Sequence, residues 1–146
     1  MPSSVGIARL LRSLEFQRGW SDGVRLEVDS TRIGSDPLTI NFSISRRISV
    51  NERQYSFLVT LESEEGSPII LNIRYGVIFE ANKSIKPSDE ALTAFGNYVA
   101  APLIHQNLQA LIRPIAEAMF GTASGLVPPL EIIQNFDDKN DVEHLV

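Results

Sequence analysis

An α+β domain, with an antiparallel sheet assembled first and helices added after it, is the fold class this chain predicts. Two observations carry that expectation. Ile69, Leu71, Ile73, Tyr75, Val77 and Phe79 alternate with other side chains, so six large apolar groups fall on one face of a strand that must be covered. After Glu80 the apolar spacing changes from two toward 3.6, the period of a helix.

The elements follow in order. Ile7, Leu10, Leu11 and Leu14 have helical spacing, whereas Leu14 and Phe16 can open an alternating strand, and both readings stay open. Gly19-Trp20-Ser21-Asp22-Gly23 is loop chemistry. Val24, Leu26 and Val28 alternate with Arg25, Glu27 and Asp29 as a short exposed strand that breaks at Gly34-Ser35-Asp36-Pro37. Leu38, Ile40, Phe42 and Ile44 then alternate with Thr39, Asn41, Ser43 and Ser45, and Tyr55, Phe57, Val59 and Leu61 repeat the pattern. Glu64-Glu65-Gly66-Ser67-Pro68 is a turn, so the strands beside it should form an antiparallel hairpin.

Ser88 can cap a helix that has Asp89 and Glu90 in its first turn, where negative charge is favoured. Leu92, Phe95, Val99, Ile104, Leu108, Leu111, Ile115 and Met119 supply inward stripes, Pro102 starts a second helix, Pro114 kinks it, and Gly121 and Gly125 mark its end. Residues 1–136 are expected to form a single domain and residues 137–146, with Asp137, Asp138, Asp141 and Glu143, an acidic, disordered tail.

Composition narrows the function classes. A chain of 146 residues fits one domain that buries roughly two thirds of its unfolded surface. No apolar run approaches the roughly 18 residues a membrane helix requires. The absence of cysteine, and first residues unlike a secretory signal, lead to the expectation of a cytoplasmic protein. A net charge of −5 disfavours nucleic acid and anionic lipid as partners. The cluster of Arg9, Arg12 and Arg18 reads as solvated surface.

No catalytic constellation emerges, and the expectation is that this is not an enzyme. His105 and His144 stand far apart without a partner motif, and no zinc-ligand spacing is present. Gly121-Thr122-Ala123-Ser124-Gly125 follows a helix and contains no Lys, unlike a phosphate loop. Glu62, Glu64 and Glu65 sit beside a hairpin turn as a solvated tip. Neither a cofactor nor a metal is called for.

From Tyr55 to Phe136 the chain resembles the SecB family of export chaperones. The motifs are Gly76-Val77-Ile78-Phe79 after a hairpin strand, a helix with Tyr98 and Pro102, Gly125-Leu126-Val127-Pro128-Pro129-Leu130, and a terminal Asn135-Phe136-Asp137. A looser match covers Ile7-Ala8-Arg9-Leu10-Leu11 and Leu14-Glu15-Phe16, which the resemblance makes the first strand. It implies a four-stranded antiparallel sheet with two C-terminal helices packed on one side, assembled as a dimer of dimers. It also implies ATP-independent holding of unfolded or nascent polypeptides, in protein export, through apolar grooves whose affinity comes from about 25 cal/mol per Å² of buried nonpolar surface.

Trp20 lies where the family carries an aromatic client-contacting loop, and Phe16, Val24, Leu26, Leu126 and Val127 join it as the expected polypeptide-binding set. The acidic positions with which the family engages the SecA motor fall on Ser13, Gln17 and Asn72, which puts motor docking in doubt. The family's second-helix motif is replaced around Gln106-Asn107-Leu108-Gln109, and extra residues lie near Arg113-Pro114 and from Val24 to Asp29. The alternative reading is a SecB-like scaffold dedicated to one partner, such as a toxin–antitoxin chaperone or an adaptor. That adaptor would use the outer sheet face through Arg46, Arg47, Arg74 and Glu80.

Overall fold

A computed structural model describes residues 2–28, 42–64, 69–83, 85–120, 127–137 and 140–145. Helix α1 (Pro2–Ser13) leads directly into strand β1 (Leu14–Val28). Three strands follow, β2 (Phe42–Asn51), β3 (Gln54–Ser63) and β4 (Ile69–Ala81). Then come α2 (Asp89–Phe95), a π-helical turn (Gly96–Ala100), α3 (Ala101–Phe120), the single turn α4 (Leu130–Ile133) and β5 (Val142–Leu145).

Among the described residues the sheet has five strands in the order β1-β4-β3-β2-β5. Neighbours are antiparallel except β5, which runs parallel to β2. Both the expected strand count and the purely antiparallel pattern are therefore corrected. The tail, expected to be disordered from Asp137, contributes the fifth strand, because the edge of β2 would otherwise leave its N–H and C=O groups unpaired. Ile48 N–H donates to the Asp141 carbonyl at 2.7 Å where that pairing begins.

Alternation sets the two faces of the sheet. Tyr55, Phe57, Val59 and Leu61 of β3 and Ile69, Leu71, Ile73, Val77 and Phe79 of β4 are buried on one side. Helix α2 seats Phe95 there, with ring centroids 5.5 Å from Phe57 and 5.0 Å from Phe79, the latter edge to face. Ser88 caps α2 as its sequence suggests, its hydroxyl accepting from Ala91 N–H at 3.1 Å.

Two features of the helical layer depart from expectation. Pro102 does not begin a separate helix. The chain passes from α2 through the π turn into α3, and the turn's wider ring lies just before a residue that has no N–H to donate. Beyond it the buried stripe is Ala101, Ile104, Leu108, Ile112 and Ala116, while Ile115 is exposed. The spacing of four selects Ile112 and Ala116 for the core in place of Ile115.

At the N-terminus the helical period prevails through Ser13, and the strand starts at Leu14. Leu10 is buried in the core, and the Ser13 carbonyl accepts from Asn82 N–H at 2.9 Å, fixing the helix-to-strand corner against the end of β4.

Candidate polypeptide-binding surface

The segment expected to be a loop around Trp20 is the middle of β1. Its pairing with β4 shifts register between Phe16 and Arg18 and again between Asp22 and Arg25. Each shift inserts one extra residue on β1, which is a β-bulge. Gly23, at φ 64°, sits in the second and supplies the left-handed conformation that side-chain-bearing residues disfavour. Glycine here bends a strand that continues, rather than ending it.

The bulges decide where the candidate residues point. Phe16 and Trp20 are four apart and would share a face in an unbroken strand. Phe16 is instead paired with Phe79, on the helix-covered face, and Trp20 with Gly76, on the opposite one. Leu26, paired with Leu71, is back on the covered face after the second bulge, where it packs half-buried against the core. Val24 lies within that bulge and is exposed.

Val127 also packs against the core, and Leu126 lies outside the described residues. The five described residues of the expected set therefore do not form one patch. Phe16 is the aromatic that stays available: it is 51% exposed, yet its ring is held edge to face on Phe79 at 5.7 Å.

Two glycines make room for aromatic neighbours. A Cβ on Gly76 would lie 3.0 Å from Trp20 Nε1 and 3.1 Å from the Phe57 carbonyl oxygen, so the indole rests over bare backbone. On the covered face, a Cβ on Gly19 would collide with the Tyr75 hydroxyl. Burial pushes the Tyr75 phenol above its ordinary pKa.

The outer face is polar around Trp20. Arg74 meets Asp22 at 3.8 Å, and Arg25 meets Glu27 at 2.9 Å, which pulls the Glu27 carboxyl below its usual range, first through the hydrogen bond and then through charge. A cavity of about 320 Å³ on this side is bordered by Arg47, Leu58, Thr60, Glu62 and Arg74. Matched charges and hydroxyls suit water better than an apolar client. Apolar exposure lies elsewhere, with Leu11 of α1 and Phe16 and Val24 of β1 all exposed within one helix–strand unit. Strand β1 is the terminal strand of the sheet, and its outer edge has no partner strand among the described residues.

Sequence reasoning missed the clamp that organises the C-terminal segment. Asn97, in the π turn, accepts from Phe136 N–H at 2.7 Å and donates to its carbonyl at 3.4 Å. Gln134 Nε2 donates to the Asn97 carbonyl at 2.6 Å. From β2, Arg46 Nε donates to the Ile133 carbonyl at 3.0 Å, and Arg46 Nη2 donates to the Ile132 carbonyl. The Arg46 pKa is lowered by partial burial, an effect that the charge of nearby Asp141 offsets only in part. Arg46 thus faces the helical layer, not the outer face where an adaptor surface with Arg47, Arg74 and Glu80 was expected. No pattern of spacing flags an Asn or an Arg for such a role.

Among the described residues, no group of three or more His, Cys, Asp or Glu is placed to hold a metal ion, and no helix is long and apolar enough to cross a membrane. No protein-family model and no curated protein matches this sequence. The fold does match a solved structure, the Mycobacterium tuberculosis Rv1957 SecB-like chaperone in complex with a ChAD peptide from the Rv1956 HigA1 antitoxin. The match has a TM-score of 0.61 at 11% identity and covers 86% of this chain and 90% of that one. The architecture reached from the residues upward, a sheet with its helices on one face, is thus similar to that of a SecB-like chaperone.

Proposed function

We propose that this protein is an ATP-independent chaperone that holds non-native polypeptides, using exposed apolar side chains along α1 and β1. The single observation that supports it best is the long edge strand β1, 15 residues with an outer side unpaired among the described residues, flanked by the exposed side chains of Leu11, Phe16 and Val24. An edge of this kind offers main-chain hydrogen bonds to any extended segment, and the apolar groups beside it add affinity without demanding a sequence. Likeness of fold to a chaperone solved with a bound peptide supports the same reading.

The same edge suits self-association. Pairing of β1 with β1 of a second copy would make the larger sheet of a dimer, and the helical layers, where Tyr98 is 71% exposed, would meet in a dimer of dimers. Holding then takes place on what remains open around Phe16. Export is one setting for such a molecule, in the cytoplasm. The positions that would contact a SecA motor carry Ser13, Gln17 and Asn72, so the reading does not depend on that motor.

A second reading is a chaperone devoted to one partner, favoured by the antitoxin peptide bound to the structural neighbour. One experiment tests the central claim. Purified protein, added without nucleotide to a denatured test protein diluted from guanidinium, should suppress light scattering in a concentration-dependent way. Undiminished scattering at every ratio would overturn the reading.

A further inference from the structure

Strand β5 occupies the opposite edge of the sheet from β1, and it is held there by little. It is four residues long, paired in parallel with β2 from Ile48–Val142 to Asn51–Leu145. Only Val142 packs against the core; Glu143, His144 and Leu145 are exposed. Glu143 reaches Arg47 at 3.6 Å on the outer face, and His144 Nε2 reaches Asp89 at 2.8 Å at the start of α2. Both pairs are open to water, where such contacts contribute little.

What precedes β5 is fastened much more firmly. Phe136 is buried against Phe57 and bonded by Asn97, and the turn after it is closed by Asp137 N–H to Asp141 Oδ2 at 2.6 Å and Asp141 N–H to the Asp137 carbonyl at 2.9 Å. Departure of β5 from the sheet would thus leave Phe136 and the turn after it in place and uncover the core only where Val142 packs against it.

We propose that β5 is a displaceable strap over a second polypeptide-binding edge, and that an extended client segment running parallel to β2 takes its place. The proposal rests on the polypeptide-binding reading above and names a site for it. That the edge accepts extended backbone is shown by β5 itself, and the contacts of β5 specify the chemistry of its replacement. The fitting segment carries an apolar residue against Ile48, then an acidic residue facing Arg47, then a basic residue facing Asp89. Competition between strap and client lowers apparent affinity by the fraction of time the edge is open.

The chain contains no cysteine, so Ser49→Cys with Glu143→Cys, which are register partners, introduces a single pair able to lock the strap. Glu143→Arg with His144→Glu instead sets like charges against Arg47 and Asp89 and should open it. The probe is permanently unfolded, alkylated α-lactalbumin, titrated against each full-length protein. Oxidation of the lock should weaken retention about fivefold, with recovery on reduction, and the charge-reversed variant should bind about threefold tighter than the unaltered protein. Equal retention by oxidised and reduced lock, with the unaltered protein binding normally, would overturn the strap and leave the chaperone reading intact. Failure of all three proteins to retain the probe would overturn both.

Discussion

The side-chain amide of Asn97 closes a two-bond ring on the backbone of Phe136, accepting from its N–H at 2.7 Å and donating to its carbonyl at 3.4 Å. A polar side chain from a helical turn thereby holds the chain that must cross from α4 back to the sheet. Phe136 is buried, and its peptide groups would lose water without another partner. Asn97→Ala should cost about 2 kcal/mol, since it leaves both backbone groups unpaired. The check is the urea midpoint, read alongside amide exchange, which should quicken from Phe136 through β5 before it does in β3 and β4.

Gly76 and Trp20 are coupled across the strand pair. A methyl group on Gly76 would press both on the indole, which can move, and on the Phe57 carbonyl, which cannot. Gly76→Ala should destabilise the protein by about 1–2 kcal/mol and turn the indole out toward water. The chain has one Trp, so a red shift of its fluorescence reports that displacement directly. An unchanged spectrum would mean that the backbone yields instead.

Phe16 is a better probe of client contact than Trp20. It presents half its surface while resting on Phe79, so its loss disturbs packing little, whereas Trp20→Ala would uncover Gly76 as well. Phe16→Ser should weaken retention of an unfolded protein about three- to tenfold while lowering stability by only about 1 kcal/mol. Retention at the level of the unaltered protein would move the client surface away from β1.

Burial raises the phenol pKa of both Tyr55 and Tyr75. A folded-state pKa above the unfolded one means that folding favours the protonated phenol. The associated stability is complete below about pH 10, the ordinary value, and is lost as pH rises through the folded value. Urea midpoints should therefore fall on the alkaline side of about pH 10. Tyr55→Phe, which gives up only a 3.5 Å bond to the Ile85 carbonyl, should flatten that fall.

The antiparallel pairing of β3 with β4 and the Ser88 cap were legible in the sequence because each depends on a local pattern: alternation, and a hydroxyl three residues from the N–H it accepts from. The expected turn from Glu64 to Pro68 lies mostly outside the described residues. How the expected binding residues are arranged was not legible. Phe16, Trp20, Val24 and Leu26 do lie on one strand, yet its two bulges divide them between opposite faces. A bulge is set by the partner strand's register, and a one-residue change of register exchanges the faces.

By itself, then, the sequence determined an α+β chain with an apolar-faced hairpin followed by helices, since both periods are local properties of the backbone. Tertiary structure alone decided that Trp20 lies over Gly76, that Asn97 and Arg46 clamp the segment before the tail, and that an acidic tail ends in a strand. Those outcomes depend on groups far apart in sequence meeting in space. An unpaired sheet edge and an unpaired backbone N–H draw in whichever segment the fold brings within reach.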